Sequence, residues 1–160
     1  MSERFFGSII FPSTLKGVSL KDIPEIRDYL ERADEVKYLD DGTINAKEYE
    51  ANYGVPEIEE ALVRLGVAFD RYSESYTEYN AEWRFFRPSP DDVDTTVTSD
   101  QNGKILISLE ELEKIEKELA TAGKSGVTVK DVKEKMGIVI PVAEWLTTNE
   151  GKATDEITHE

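Results

Sequence analysis

Of the side chains that make covalent or metal chemistry easy, this 160-residue chain carries almost none: no cysteine, and a single histidine, His159, next to last. Without a thiol there is no cysteine nucleophile, redox pair or disulfide framework. With one histidine, a His/Cys zinc site, a Ser-His-Asp triad and a Cys-His pair each lose an essential member. What remains is carboxylate, phenol and cation chemistry, from 34 Asp and Glu, 19 Lys and Arg and seven Tyr. Two carboxylates can serve as general acid and base, but such a pair is defined by its separation in space, which chain order does not fix. No glycine-rich cofactor fingerprint and no metal-ligand spacing singles out a pair. The expectation is a protein with no catalytic residues, no metal and no cofactor.

Three short motifs echo known sites and fail at a defined position. Asp41, Gly42, Ile44 and Glu48 stand where an EF-hand calcium loop has an acid, its glycine, its isoleucine and its closing glutamate, yet Lys37 and Leu39 occupy the first and third ligand positions. An Asp-Gly hairpin turn between Tyr38 and Ile44 fits better. A second echo, Asp100, Asn102, Gly103 and Ile105, has Leu109 in place of the closing glutamate. Gly123-Lys124-Ser125 resembles the end of a phosphate loop, but Glu118 stands where its first glycine belongs.

Charge carries more information. The formal net charge is −15, and between Asp22 and Glu60 thirteen acids face four bases. Such a field repels nucleic acid and anionic membrane and attracts basic surfaces. No run approaches eighteen apolar residues, and the N-terminal apolar run is too short for a secretory signal, which points to a cytoplasmic protein without a membrane segment.

The residues best suited to contact a partner lie in two places. Glu25, Asp28, Glu31 and Glu35 fall on the outer side of a helix whose stripe is Ile23, Ile26, Leu30 and Ala33, and Asp40 and Asp41 follow in the next turn. The stretch 66–88 gathers the aromatics: a hairpin with arms near 67–72 and 81–87, joined by a connector holding Glu74, Tyr76, Glu78 and Tyr79. Tyrosine offers contact area at small entropic cost, so Tyr76 and Tyr79 beside two glutamates read as an aromatic and acidic contact patch.

These residues are positioned by elements with clear signals. FFGSIIF (5–11), apolar on both faces, predicts an interior strand stopped by Pro12. Asp22, Pro24 and Glu25 predict a capped helix start. Val55–Leu65 predicts a second helix with Glu57, Glu59 and Glu60 at its N-terminus and Gly66 ending it. A hairpin on Asn102-Gly103 is expected, with arms 95–98 and 104–107, then a helix capped by Ser108 with Glu111. The span 127–146 has helix-turn-helix spacing, but Lys133 occupies a small-residue position and no Lys or Arg follows Pro141 before Lys152; it reads as a packing module with Trp145 and Leu146 in the core.

Together these predict an α+β protein: an antiparallel sheet built of hairpins with helices packed on one face over 1–122, a small helical appendage over 123–148 and a polar tail over 149–160. The expected function is non-enzymatic: an acidic protein engaging and inhibiting a basic, nucleic-acid-handling protein, as a DNA mimic of the anti-restriction or anti-CRISPR type, with no direct contact to nucleic acid or membrane. Cysteine-free, strongly acidic proteins of phages and other mobile elements share this size and composition; the likeness stops there. The alternatives are a helix-turn-helix-like transcription regulator and a carboxylate-based enzyme.

Overall fold

The opening strand β1 (Arg4–Pro12) lies at the centre of the sheet, between β5 (Thr43–Asn52) and β6 (Phe69–Ser73), as its two-sided apolar pattern demands. The computed structural model describes residues 3–76, 80–88 and 91–147. The antiparallel sheet continues outward through β4 (Glu35–Tyr38) on one side and β7 (Ala81–Arg87) and β8 (Val93–Ser99) on the other, in the order β4-β5-β1-β6-β7-β8. A two-strand ribbon, β2 (Thr14–Leu15) with β3 (Val18–Ser19), leads into α1 (Pro24–Arg32); α2 (Glu59–Leu65) joins β5 to β6. The chain finishes with α3 (Leu109–Thr121), α4 (Val129–Met136) and a helix α5 over 142–147. The expected α+β fold is present, with α1 and α2 covering one sheet face.

Register follows the alternation read from sequence. Phe69 pairs with Phe86 and Arg71 with Arg84 on the helix-covered face, whereas Asp70 with Phe85 and Tyr72 with Trp83 face the other way. On the covered face Ile9, Phe11, Ile44 and Phe69 meet Ile26, Tyr29 and Leu62, all essentially inaccessible. Close approach matters at Gly7, where a Cβ would lie 2.1 Å from the Gly54 carbonyl oxygen: the turn after β5 rests directly on the central strand.

Several boundaries move from their expected places. Asp22 ends a short 3₁₀ turn (Leu20–Asp22) and does not cap α1; the N-cap is Ile23, held extended because Pro24 follows it. Tyr29, not read as inward, is fully buried in α1. The second helix begins at Glu59, not Val55, since Pro56 keeps Val55 out of the helical region. Gly66 ends it in the left-handed conformation. The Asn102-Gly103 turn forms with Asp100 accepting from the Asn102 and Lys104 amides, but β8 takes β7 as its ladder partner, and residues 104–107 contribute one bridge, Ser99 to Ile105. The aromatic face of β7 decides this: Trp83 lies opposite Val97. Trp145 and Leu146 are half-buried, and Val142 is the core residue of the last helix.

A buried ion pair helps fasten the C-terminal segment to the sheet face opposite α1 and α2. Arg87, fully buried, donates to Asp70 Oδ1 at 2.6 Å and to the carbonyls of Phe69 at 2.9 Å and Ile140 at 2.9 Å, while Asp70 Oδ2 accepts from the Val142 amide at 3.0 Å. Burial pushes the Asp70 carboxyl above its ordinary value, against the opposing pull of Arg87. Removing one member of a buried pair leaves the other unsolvated. Asp70→Ala is therefore expected to cost about 3–5 kcal/mol in urea unfolding and to expose 137–147 to proteases; a loss below about 1 kcal/mol would mean the appendage is held otherwise.

α4 opens with a complete capping box, Thr128 and Asp131 each bonding the other's backbone amide. Hydrogen bonds from Lys124 and from the Thr128 amide hold the Asp131 carboxyl at about 2, below its ordinary 3.8. A depressed carboxylate stabilises the fold above its ordinary pKa and stops doing so as pH falls through the depressed one. The stability difference between wild type and Asp131→Asn should be constant above pH ~4 and vanish toward pH ~2, a trend that urea unfolding at several pH values checks.

Candidate partner-binding groove

Glu59 opens α2 facing inward, because the turn set by Pro56 aims the first helical turn at the sheet. Its carboxylate accepts from Arg71 at 2.8 Å and lies 3.2 Å from Arg84. Arg71 also donates to Ser73 at 2.7 Å and Glu82 at 2.9 Å, and Arg84 grips Asp94 with two parallel bonds of 2.8 Å each. The Asp94 bond pushes the Arg84 guanidinium further up, and Arg84 in turn pulls the Asp94 carboxyl down. Two arginines are thus matched by three carboxylates inside one network. They are unavailable to an outside anion.

Beside this network lies an open groove of about 820 Å³ between β5 and α2. Its walls carry five glutamates, Glu48, Glu50, Glu57, Glu59 and Glu60, against Arg4, Arg64 and Arg84. Glu48 and Glu50 both line the groove, at a bulge where the β1–β5 register shifts between Glu48 and Ala51. Glu48 is fixed, accepting from the buried Tyr29 hydroxyl at 2.9 Å and the Glu57 amide at 2.8 Å. Burial first, and Glu48 second, push the Tyr29 phenol far up, so it serves as a permanent donor. Glu57 pairs with Arg32, whose hydrogen bond draws its carboxyl down, and Arg64 turns away to Glu25. Glu50 and Glu60 have no ion-pair partner among the described residues. The groove can therefore offer carboxylates to a cation, and its own arginines are largely occupied.

The residues expected from sequence fall into three groups. Glu25, Asp28 and Glu31 are exposed on α1; Glu25 pairs with Arg64, Asp28 lies 3.8 Å from Arg27, and Glu31 has no ion-pair partner among the described residues. Glu35 belongs to β4, not α1, where it accepts from the Tyr49 hydroxyl at 2.9 Å and has the Lys37 and Lys47 ammonium groups at 4.0 Å. Asp40 and Asp41 form the β4–β5 turn at the end of the sheet where β1 stops, Asp41 bonding the Thr43 amide. Glu74 and Tyr76 lie at the opposite end, where β1 starts: the Glu74 amide bonds the Phe6 carbonyl and Tyr76 stacks on Phe5 at 5.3 Å. The two groups therefore lie a strand's length apart, at opposite ends of β1. Glu78 and Tyr79 lie outside the described residues.

The groove glutamates were missed as a set. Their available signal was the strand pattern continuing past Ile44 through Glu48 and Glu50. Among the described residues no three His, Cys, Asp or Glu side chains gather as metal ligands, and no helix is long and apolar enough to cross a membrane. Comparison with protein-family models, curated proteins and solved structures gives no match.

Neighbouring glutamates on α2 provide a direct contrast. Glu59→Gln should cost about 3 kcal/mol in urea unfolding, since a buried arginine pair loses its shared charge. Glu60→Gln, on the solvent side, should stay within about 0.5 kcal/mol. Equal losses would contradict the inward placement of Glu59.

Proposed function

We propose that the protein is a non-catalytic binding protein whose acidic surface engages a basic partner, of the class that handles nucleic acid. The observation that carries this reading is the groove between β5 and α2, where Glu50 and Glu60 stand without ion-pair partners among the described residues, Arg64 and Arg84 are drawn into other pairs, and Arg4 is the one remaining groove cation. A surface of this kind gains most from lysines and arginines that otherwise bind phosphate, because charge complementarity sets encounter rate and partner choice. Net charge of −15 extends the attraction beyond the groove and disfavours nucleic acid itself as the ligand. Competition with nucleic acid for a basic cleft follows, with inhibition as its consequence. The helix-turn-helix-like reading gains no comparable support, since the exposed residue of α5 in its middle turn is Glu144.

The test is inhibition of DNA cleavage by a panel of purified restriction and CRISPR nucleases, with wild type and the Glu50→Lys/Glu60→Lys variant. These two positions are preferred to Glu25 and Glu35, whose carboxylates already bond Arg64 and Tyr49. Wild type should slow at least one nuclease, more at about 50 mM than at about 300 mM salt. The folded double variant should need roughly tenfold more protein for the same effect, a loss of about 1.4 kcal/mol. Inhibition unchanged by the double substitution, or by salt, would refute the reading.

A further inference from the structure

The two edges of the sheet are finished differently. At β8, residues 104–106 lie alongside the strand, with the Ser99–Ile105 bridge and a bond from the Leu106 amide to the Thr98 carbonyl. At β4 no such cover exists among the described residues. Ladder geometry fixes which groups are left over. The Leu39 amide bonds the Thr43 carbonyl, and Tyr38 pairs with Ile44, Lys37 with Asn45 and Val36 with Ala46. Backbone groups alternate in direction along a strand, so Lys37 and Leu39 point theirs at β5 while Val36 and Tyr38 point theirs outward. The flank of this edge is apolar and aromatic: Tyr38 is 59% exposed, Leu39 38% and Tyr49 54%.

We propose that β4 is a self-association edge, on which a second copy of this chain pairs antiparallel to join two six-stranded sheets. The charges on β4 are what commit the site to its own copy. Glu35 and Lys37, two apart, share the sheet face away from α1 and α2. A two-fold axis at Val36 sets Val36 opposite Val36 of the second copy as a hydrogen-bonded pair. Glu35 then lies opposite Lys37 of the second copy, and the symmetry makes this contact twice, at the closer non-hydrogen-bonded spacing of about 4.5 Å between Cα atoms. A register with its axis at Lys37 sets two lysines against each other and is disfavoured. A self-complementary patch is what a two-fold interface requires. In the monomer the Tyr49 hydroxyl and Lys47 meet Glu35 Oε2, while Oε1 meets Lys37 only at 4.0 Å across an exposed surface, so turning Oε1 to a cross-copy lysine gives up little. The opposing term is long-range repulsion between two chains of −15, which salt screens. Association should therefore be weak in dilute buffer and stronger at about 0.3 M salt, where the close, desolvated pairs persist and the general repulsion does not.

Sedimentation equilibrium at about 0.3 M NaCl, up to roughly millimolar protein, tests this. Wild type is expected to show a monomer–dimer equilibrium. Val36→Pro removes an amide that no partner uses in the monomer, and should abolish association with an unchanged circular dichroism spectrum. Lys37→Glu should weaken association at least tenfold by facing Glu35 with a like charge, and Glu35→Lys/Lys37→Glu should restore it, because the swapped charges again meet across the axis. A wild type monomeric throughout would overturn the proposal. So would a dimer that Val36→Pro leaves intact, or a charge-swapped double variant no better than Lys37→Glu alone. None of these outcomes bears on the groove between β5 and α2, which lies on the face covered by the helices.

Discussion

The structure depends on how a chain so rich in acid disposes of its arginines. Arg71 and Arg87 are almost wholly buried and Arg84 is mostly so, and each is held by carboxylates on neighbouring strands or on α2. Desolvating a guanidinium is costly, and only close, hydrogen-bonded partners offset it. The pairs therefore fix where β6, β7, α2 and the C-terminal segment sit relative to one another. With those cations inside, the groove beside them presents carboxylates to solvent with few bases left to answer them.

Interior pairing also separates glutamates that look alike in sequence. Glu57, Glu59 and Glu60 follow Pro56 within one turn; Glu57 reaches Arg32, Glu59 enters the arginine network, and Glu60 faces outward. Only the last is free to meet a partner. The same sorting acts on α1 and β4, where Glu25 and Glu35 are engaged and Glu31 has no ion-pair partner among the described residues. An acidic surface is thus smaller, and more localised, than a count of acids suggests.

Local rules made much of the fold legible. FFGSIIF announced a central strand because both its faces are apolar, and the arms of the β6–β7 hairpin followed from alternation alone. Asp41-Gly42 and Gly66 marked their turn and cap for the same reason: each needs a conformation that few residues supply. What alternation cannot carry is a pairing between distant residues. Asp70 and Arg87 fasten a segment beginning near Ile140, and nothing in either neighbourhood signals it. Glu59 reads as an N-terminal surface acid until Arg71 and Arg84 are known to lie beneath it. Among the site residues, Glu74 and Tyr76 were readable as exposed, but their distance from Asp40 and Asp41 depends on strand order, which the sequence leaves open.

The central claim is that the unpaired carboxylates between β5 and α2 form the surface a basic partner meets. α3 is its natural competitor, with Glu110, Glu113 and Glu116 exposed but interspersed with Lys114 and Lys117. Titrating a Lys- and Arg-rich peptide into labelled protein at about 50 mM salt and following backbone amide shifts separates the two. The account predicts saturable shifts concentrated in 48–52 and 57–64, fading as salt rises. Shifts centred on α3, or spread evenly over the acidic surface, would contradict it.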